Sequence, residues 1–205
     1  TESDYIEKIQ ELWPAKDAEA LEPLHLVEEA IVAFPHSPKL LCMKGDLIQL
    51  SDGTGYNPSD AVACYERASS LDPSCAEAFE SLGYYYDVIS VDLERAESAF
   101  RAATALGGGP DAYAGLGRVL AERGRNTTEI LAFLDGCVHA AAPEVQEMRA
   151  EIEEVLEPHV KRTANQSVEP TGGSRFCQRV FVSQWRLPPV AHAHRSPGLV
   201  ATTPV

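Results

Sequence analysis

Histidine and cysteine are the side chains of this sequence that could act as nucleophiles, bases or metal ligands. The chain has six histidines and five cysteines. None of them lies in a G-x-S-x-G turn, an H-E-x-x-H helix or a C-x-x-C pair, the patterns that mark nucleophiles and zinc sites. His192 and His194 are one residue apart, but no third ligand completes a metal site with them. The sequence therefore predicts no catalytic residue and no bound metal.

Acid pairs and a glycine run are the other patterns with a chemical interpretation. Adjacent acids such as Glu28–Glu29 and Glu153–Glu154 point apart on a helix, so we expect them in solvent. The glycines of residues 107–110 would cradle a phosphate only with a strand before them and Lys-Ser or Lys-Thr after them, and neither is present. We expect no enzyme and no cofactor, and an active site assembled from distant residues is the alternative.

Residues 61–83 indicate the elements that would position a binding side chain. Ala61, Tyr65 and Ala68 recur at helical spacing, and Asp72-Pro73 ends that helix. A second helical face follows a short turn and contains Phe79, Leu82, Gly83 and Tyr86. Two such helices form a hairpin, which is too small to bury its apolar face without a neighbour.

The hairpin recurs along the chain at a nearly constant interval. One set of glycines is spaced 38 and 34 residues apart: Gly45, Gly83 and Gly117. One set of alanines is spaced 38 and 35 residues apart: Ala30, Ala68 and Ala103. Small residues let antiparallel helices approach closely, and an aromatic residue such as Tyr65 or Phe100 fills the gap beside them. We therefore expect Ala68, Gly83 and Ala103 in the core.

This pattern resembles the tetratricopeptide repeat, whose unit reads W-x2-L-G-x2-Y, then A-x3-F, then A and P, over about 34 residues. The best match consists of Phe79, Leu82, Gly83, Tyr86, Ala96, Phe100 and Ala103. Lys44 departs from the leucine of the pattern, and Glu129 and Gly136 depart from its alanines. The resemblance implies an all-α fold, namely an α-solenoid of antiparallel helical hairpins with a right-handed superhelix.

Four segments are expected within the chain. They are a divergent helical hairpin at 1–36, repeats at 37–142, a capping helix at 143–162 and a disordered basic tail at 163–205. The tail is rich in glycine, proline, serine and threonine and has no helical period. The capping helix is amphipathic, as the last helix of a stack must be.

Turn-forming residues predict where individual helices begin. Pro38 is expected in the first turn of a helix. Ser59 or Asp60 is expected to cap the next helix, and Thr127 or Thr128 a later one that runs to about Ala140.

Charge is divided unevenly along the chain. Residues 1–161 contain 30 acidic and 12 basic residues, a net charge of −18, whereas residues 162–205 contain one and five, a net charge of +4. An acidic body repels nucleic-acid phosphates and favours a basic partner. Without a leader-like or membrane-spanning apolar run, we expect a cytoplasmic protein that binds neither nucleic acid nor membrane. The cysteines are expected to be small buried hydrophobes in a reducing compartment.

In the family that this sequence resembles, the first helices of successive repeats line a concave groove. The resemblance implies that the groove here is lined by Lys39, Cys42, Asp46, Gln49, Glu77, Glu80, Tyr84, Asp87, Asp111, Ala114 and Arg118. Five of these residues are acids, and Tyr84 is the expected aromatic anchor. The lysine, arginine and asparagine pattern of the carboxylate-clamp subset, which grips the C-terminus of chaperones, is absent.

The sequence thus predicts a protein–protein interaction scaffold or adaptor that holds a basic peptide or helix in an acidic groove. One variant places the basic tail, residues 163–205, in that groove. A self-associating structural subunit and an accessory subunit of an enzyme complex are the alternatives. The identity of the partner and the oligomeric state are left open.

Overall fold

The computed structural model describes residues 1–13, 21–50 and 55–163, and of residues 155–163 only the backbone. Within these ranges the chain is all-α and contains no strand, which confirms the predicted fold class. The helices there are α1 (Glu2–Glu11), α2 (Leu21–Ala33), α3 (Pro38–Leu50), α4 (Pro58–Leu71), α5 (Ala76–Tyr84), α6 (Leu93–Ala105), α7 (Pro110–Glu122), α8 (Thr127–Gly136) and α9 (Pro143–Thr163).

The helices pack in two layers. Each helix from α2 to α9 contacts the helix that precedes it in the chain. In addition, α3 contacts α5, α5 contacts α7, and α7 contacts α9. Because short connections make consecutive helices antiparallel, the odd-numbered helices from α3 onward form one layer and the even-numbered helices the other. This arrangement is an α-solenoid, and α9 extends the odd-numbered layer beyond α7.

Glycines on the odd-numbered helices receive aromatic rings from the even-numbered ones. A Cβ placed on Gly83 of α5 would lie 2.7 Å from Phe100 Cδ1 of α6, and one on Gly45 of α3 would overlap the ring of Tyr65. Ala68 and Ala103 are fully buried. The prediction that small residues mark the helix contacts is confirmed.

The last described helix covers the end of the stack. Val145, Met148 and Ile152 of α9 are buried. Gly117 of α7 lies under this helix, because a Cβ there would be 3.2 Å from Leu134 Cδ2 and 3.4 Å from Met148 Cγ. The predicted apolar side of the capping helix therefore packs on the repeats, as far as its side chains are described.

Two helix caps differ from the predicted ones. Asn57, not Ser59 or Asp60, precedes α4, since Pro58 already occupies its first turn, and the Asp60 carboxylate accepts the Asn57 N–H at 2.7 Å. Asn126 caps α8, because its Oδ1 accepts the N–H groups of Thr128 at 2.9 Å and Glu129 at 3.3 Å. That helix ends at Gly136 rather than at Ala140.

A π-helical turn at Tyr85–Ile89 follows α5, which the sequence did not predict. Val91 next to it has a φ of 53°, a conformation that β-branched residues rarely adopt. Asp92 then caps α6 by accepting the Arg95 N–H at 3.1 Å. The connection between the helices of the best-matching repeat is thus wider than an ordinary turn.

The segment boundaries at 1–36, 37–142 and 143–162 stay predictions. The predicted tail begins at Thr163, which is the last residue of α9, and its residues 164–205 lie outside the described residues. In the described part of the chain, no helix combines the length and apolar character needed to span a bilayer.

Candidate functional site

The first helices of successive hairpins, α3, α5 and α7, carry a row of polar side chains that we name the inner face. Its members are half-buried and come from the predicted groove: Lys39, Asp46, Gln49, Glu77, Glu80 and Asp111. Because α3 contacts α5 and α5 contacts α7, these side chains lie on adjoining helices. Carboxylates outnumber cations on this face four to one.

A salt bridge joins the first two helices of the inner face. Lys39 Nζ of α3 donates a hydrogen bond to Glu77 Oε1 of α5 at 2.6 Å. Burial opposes the charged form of Lys39, but the Glu77 carboxylate raises its pKa overall. The side chains are still 41% and 40% exposed, so a competing ligand could reach both ends of the pair.

Asp46 is a half-buried carboxylate with hydrogen-bond donors around it. Its Oδ1 accepts the Tyr65 hydroxyl at 2.8 Å and the Ser81 hydroxyl at 3.3 Å. Gln49 Nε2 in turn donates to the Tyr65 hydroxyl. Burial, together with the nearby charge of Glu77, raises the pKa of Asp46 to about 7 despite these donors. The carboxylate therefore binds a proton near neutral pH.

Glu80 lies among further acids between α5 and α7. Burial raises its pKa to about 8, and the charges of Asp111, Glu77 and Asp46 act in the same direction. Asp111 at the start of α7 likewise has a raised pKa, because of burial and of the charge of Glu144 on α9. The inner face thus holds more negative charge than its own cations neutralise.

Four other residues of the predicted groove are buried. Asp87 and Arg118 form an ion pair with each other, with 2% of each side chain exposed. Tyr84 is 8% exposed, its ring packs edge-on against Phe100 with 4.8 Å between centroids, and its hydroxyl donates to the Asp111 carbonyl at 2.9 Å. Cys42 is fully buried. Ala114 is half-buried on α7.

Tyr84, the predicted aromatic anchor, is thus buried at the end of α5. The π-helical turn that starts after Tyr84 rotates the end of α5, so that Asp87 faces Arg118 in the interior. The prediction that Tyr84, Asp87 and Arg118 contact a partner stays a prediction, and in this structure their side chains have partners inside the repeats.

Three residues that act on the inner face from outside the predicted set were missed by the sequence analysis. Tyr65 was interpreted only as the core aromatic of its repeat, yet its hydroxyl reaches Asp46. The signal was available, since the family pattern has phenylalanine at this position. Ser81 and Glu144 had no such signal, because their roles follow from the packing of α3 on α5 and of α9 on α7.

Within residues 1–13, 21–50 and 55–163, no three histidine, cysteine, aspartate or glutamate side chains come together as a metal site would require. His192 and His194 lie outside the described residues.

Residues 92–145 match a family model described as a tetratricopeptide repeat, and they coincide with α6, α7, α8 and the start of α9. The chain therefore contains a segment of tetratricopeptide repeat type at residues 92–145. Among solved structures, a thermophilic tetratricopeptide repeat protein of Thermus thermophilus is similar. It is 17% identical over 66% of this chain and 73% of its own, with a TM-score of 0.51.

A second solved structure, MamA, is also 17% identical, over 69% of this chain and 71% of its own, with a TM-score of 0.44. No curated protein matches the sequence. At 17% identity the Thermus thermophilus structure agrees with this chain in fold alone.

Proposed function

We propose that this protein is an interaction scaffold whose inner face binds a basic segment of a partner protein. Tetratricopeptide folds serve in general as protein–protein interaction scaffolds, which supports the coarse function. The observation that carries the finer proposal is the set of four carboxylates on α3, α5 and α7, in which burial and the charges of neighbouring acids raise the pKa of Asp46 and of Glu80.

Electrostatics gives the reason for a cationic ligand. A lysine or arginine placed between Asp46, Glu77 and Glu80 would stabilise their ionised forms and offset the repulsion among them. The same group would compete with Lys39 for the Glu77 carboxylate. Complementary charge of this kind sets specificity and association rate more than total affinity.

The depth of the inner face favours an extended segment. Its polar groups are half-buried, and Tyr84, which could have supplied an apolar pocket, is in the core. A ligand would therefore contact mainly the carboxylates and the exposed part of Lys39. We expect binding that weakens with added salt, because exposed charges are screened over about 8 Å at physiological ionic strength.

Charge reversal on the inner face tests this proposal. Fluorescence anisotropy would compare labelled peptides of equal length that are lysine- and arginine-rich, neutral or glutamate-rich. We expect the basic peptide alone to bind, and the variant Glu77→Lys/Glu80→Lys to bind it at least about tenfold more weakly. Glu77→Gln/Glu80→Gln is the milder variant in case the reversal unfolds the protein.

A matched control separates local from overall charge. Glu94 on α6 and Glu129 on α8 are exposed acids outside the inner face. The variant Glu94→Lys/Glu129→Lys has the same net charge as the reversed inner face and should keep the affinity of the wild type. Equal loss in both variants, or affinity capture of partners that have no basic segment, would contradict the proposal.

A further inference from the structure

Three arginines surround one carboxylate where α6 meets the connection between α7 and α8. Arg101 of α6 donates to Glu97 Oε1 through Nε at 3.0 Å and through Nη2 at 2.8 Å. Arg123 Nη1 and Arg125 Nη2 lie 3.1 Å and 3.6 Å from the other oxygen, Glu97 Oε2. We name the guanidinium groups of these three arginines the arginine cluster. Three cations around one anion leave a local charge of +2.

The carboxylate within this cluster is enclosed, whereas two of the guanidinium groups face solvent. The Glu97 side chain is 10% exposed, and the side chains of Arg101 and Arg125 are 57% and 53% exposed. Burial opposes the ionised form of Glu97, but its hydrogen bond with Arg101 and the charges of the three arginines lower its pKa overall. Glu97 therefore stays ionised at neutral pH and holds the arginines together, while their outer side is open to a second anion.

The contacts among the described residues use only some of the hydrogen-bond donors of the arginine cluster. Each guanidinium carries five N–H groups. Within the described part of the chain, no donor is aligned for a hydrogen bond to Glu97 Oε2. Arg123 Nη1 donates instead to the Leu93 carbonyl at 3.4 Å, and Arg125 lies beside Oε2 through charge, without such a bond. The cluster can therefore donate to an anion that approaches from solvent.

We propose that the arginine cluster is a second docking surface, which binds a phosphorylated serine or threonine on a partner protein. A phosphoserine carries a charge of about −1.5 to −2 at pH 7 and three strong acceptor oxygens. This charge matches the +2 of the cluster, and the oxygens can accept from Arg101 and Arg125 at the same time. Guanidinium groups bind phosphate through paired N–H donors, and clusters of arginines recognise phosphorylated segments in this way.

Charge favours an isolated phosphate on a protein segment over other anions. A glutamate brings a smaller charge than a phosphate to a cluster that already contains one carboxylate. A nucleic acid brings a row of phosphates, which the acids of residues 1–161, with a net charge of −18, repel along the rest of the surface. A short phosphorylated segment meets less of this repulsion, because exposed charges are screened over about 8 Å at physiological ionic strength. Protein segments are also what tetratricopeptide folds bind in general.

The arginine cluster is separate from the inner face. It lies on α6 and at the end of α7, whereas the inner face is formed by side chains of α3, α5 and the start of α7. The proposal therefore does not depend on the proposed function. Glu94, an exposed acid three residues before Glu97 on α6, lies beside the cluster and should reduce its affinity for a phosphate.

Fluorescence anisotropy with the full chain tests the ligand. The probes are labelled peptides of glycine and alanine that differ at one central position, which is phosphoserine, serine or glutamate. We expect the phosphoserine peptide to bind at least about tenfold more tightly than the other two. No binding of the phosphoserine peptide, equal affinity for the glutamate peptide, tighter binding of a single-stranded oligonucleotide, or inorganic phosphate that competes at the concentration of the peptide itself would overturn the proposal.

A matched pair of double variants separates the arginine cluster from overall charge. Arg101→Gln/Arg125→Gln removes the two exposed cations and should weaken binding of the phosphoserine peptide at least about tenfold. Arg67→Gln/Arg149→Gln changes the net charge equally, on α4 and α9, and should keep the wild-type affinity. Glu94→Gln should strengthen binding, because it removes a negative charge beside the cluster. Equal loss in the two double variants would contradict binding at this site.

Arginine footprinting of the wild-type chain locates the bound peptide without any substitution. Phenylglyoxal modifies accessible arginines, and peptide mass spectrometry measures the extent at each one. With the phosphoserine peptide present, Arg101 and Arg125 should lose most of their reactivity. Arg67, which is exposed and donates to the Pro35 carbonyl at 2.8 Å, should react as in the free protein. Unchanged reactivity of Arg101 and Arg125 would overturn the assignment of the cluster, even if the peptide binds elsewhere.

Discussion

Asp87 in the π-helical turn and Arg118 of α7 form an ion pair with only 2% of each side chain exposed. Burial outweighs the attraction of the guanidinium and raises the pKa of Asp87 to about 6. A buried pair of this kind is costly to desolvate, yet removing one member leaves the other charged group without its partner. The pair therefore ties the irregular end of α5 to the next repeat.

Loss of one member of this pair should be strongly destabilising. We expect Arg118→Met to lower the free energy of unfolding by about 3–5 kcal/mol, because Asp87 would remain buried without its cation. Urea denaturation followed by circular dichroism measures the change. Arg149→Met is the control, since Arg149 pairs with Asp135 at the surface, with 30% and 52% of the side chains exposed, and should cost less than about 1 kcal/mol.

Arg118→Met combined with Asp87→Leu gives a second comparison. Replacing both charges by apolar groups removes the isolated carboxylate, so the double variant should be more stable than Arg118→Met alone. If the double variant is the less stable one, packing rather than charge determines the cost at this site.

The contact between Gly83 and Phe100 predicts an unusual effect of a helical glycine. Alanine normally stabilises a helix interior relative to glycine by about 1 kcal/mol. A Cβ on Gly83 would lie 2.7 Å from Phe100 Cδ1, so Gly83→Ala should instead destabilise the protein by about 1–3 kcal/mol. Thermal unfolding measures the difference.

Gly136 supplies the matched control for this prediction. It also lies in a helix, but a Cβ there would meet nothing within 4 Å. Gly136→Ala should therefore be neutral or stabilising by up to about 1 kcal/mol. Similar stabilisation by both alanines would show that Phe100 does not pack against Gly83.

The layering of helices could be predicted from the sequence because it depends on residue size at a fixed interval. Gly45, Gly83, Tyr65 and Phe100 occupy the predicted contacts. Lys44 departs from the repeat pattern, and a contact with the neighbouring helix explains the departure. Its Nζ donates to Glu28 Oε1 at 3.0 Å, on the neighbouring α2.

The predicted binding residues depend on helical register more closely than the fold does. Helical register assigned Asp87 to the groove on the assumption that the helix of α5 stays regular beyond Tyr84. The π-helical turn changes the register after Tyr84, and local residue preferences give no signal for a turn that tertiary contacts stabilise. Residues before the turn, such as Glu77 and Glu80, do lie on the inner face.

Asn126 rather than Thr127 or Thr128 should be the residue that stabilises the start of α8. Its Oδ1 accepts two backbone N–H groups that have no partner within the helix. Asn126→Ala should lower the free energy of unfolding by about 1 kcal/mol, and Thr127→Ala by less. Denaturant unfolding distinguishes the two variants. An equal or larger effect of Thr127→Ala would show that Thr127 caps the helix, as the sequence predicted.

Binding of a basic peptide to the inner face should strengthen as the pH rises from about 6 to about 8. The raised pKa values of Asp46, about 7, and of Glu80, about 8, mean that both carboxylates become ionised over this interval. A cation binds the ionised forms better, so binding releases protons. Titration calorimetry in buffers of different ionisation enthalpy measures that release, and an affinity independent of pH would count against these two carboxylates as ligands.

The same two carboxylates should make the free protein less stable as the pH rises. The folded-state pKa values are about 7 for Asp46 and about 8 for Glu80, and both lie above the ordinary values of these side chains. At a pH between the ordinary and the folded-state pKa of each group, the folded state therefore holds more protons than the unfolded state. The free energy of unfolding must then fall as the pH rises from about 5.5 to about 8. Burial opposes the ionised form of Glu97, but its hydrogen bond with Arg101 lowers its pKa overall. Glu97 therefore loses its contribution to stability only at more acidic pH, outside this interval.

Thermal unfolding of Glu80→Gln should show a shallower pH dependence than the wild type, with Glu94→Gln as the exposed control. A wild type that is more stable at about pH 8 than at about pH 5.5 would mean that the inner face is better hydrated than its burial implies.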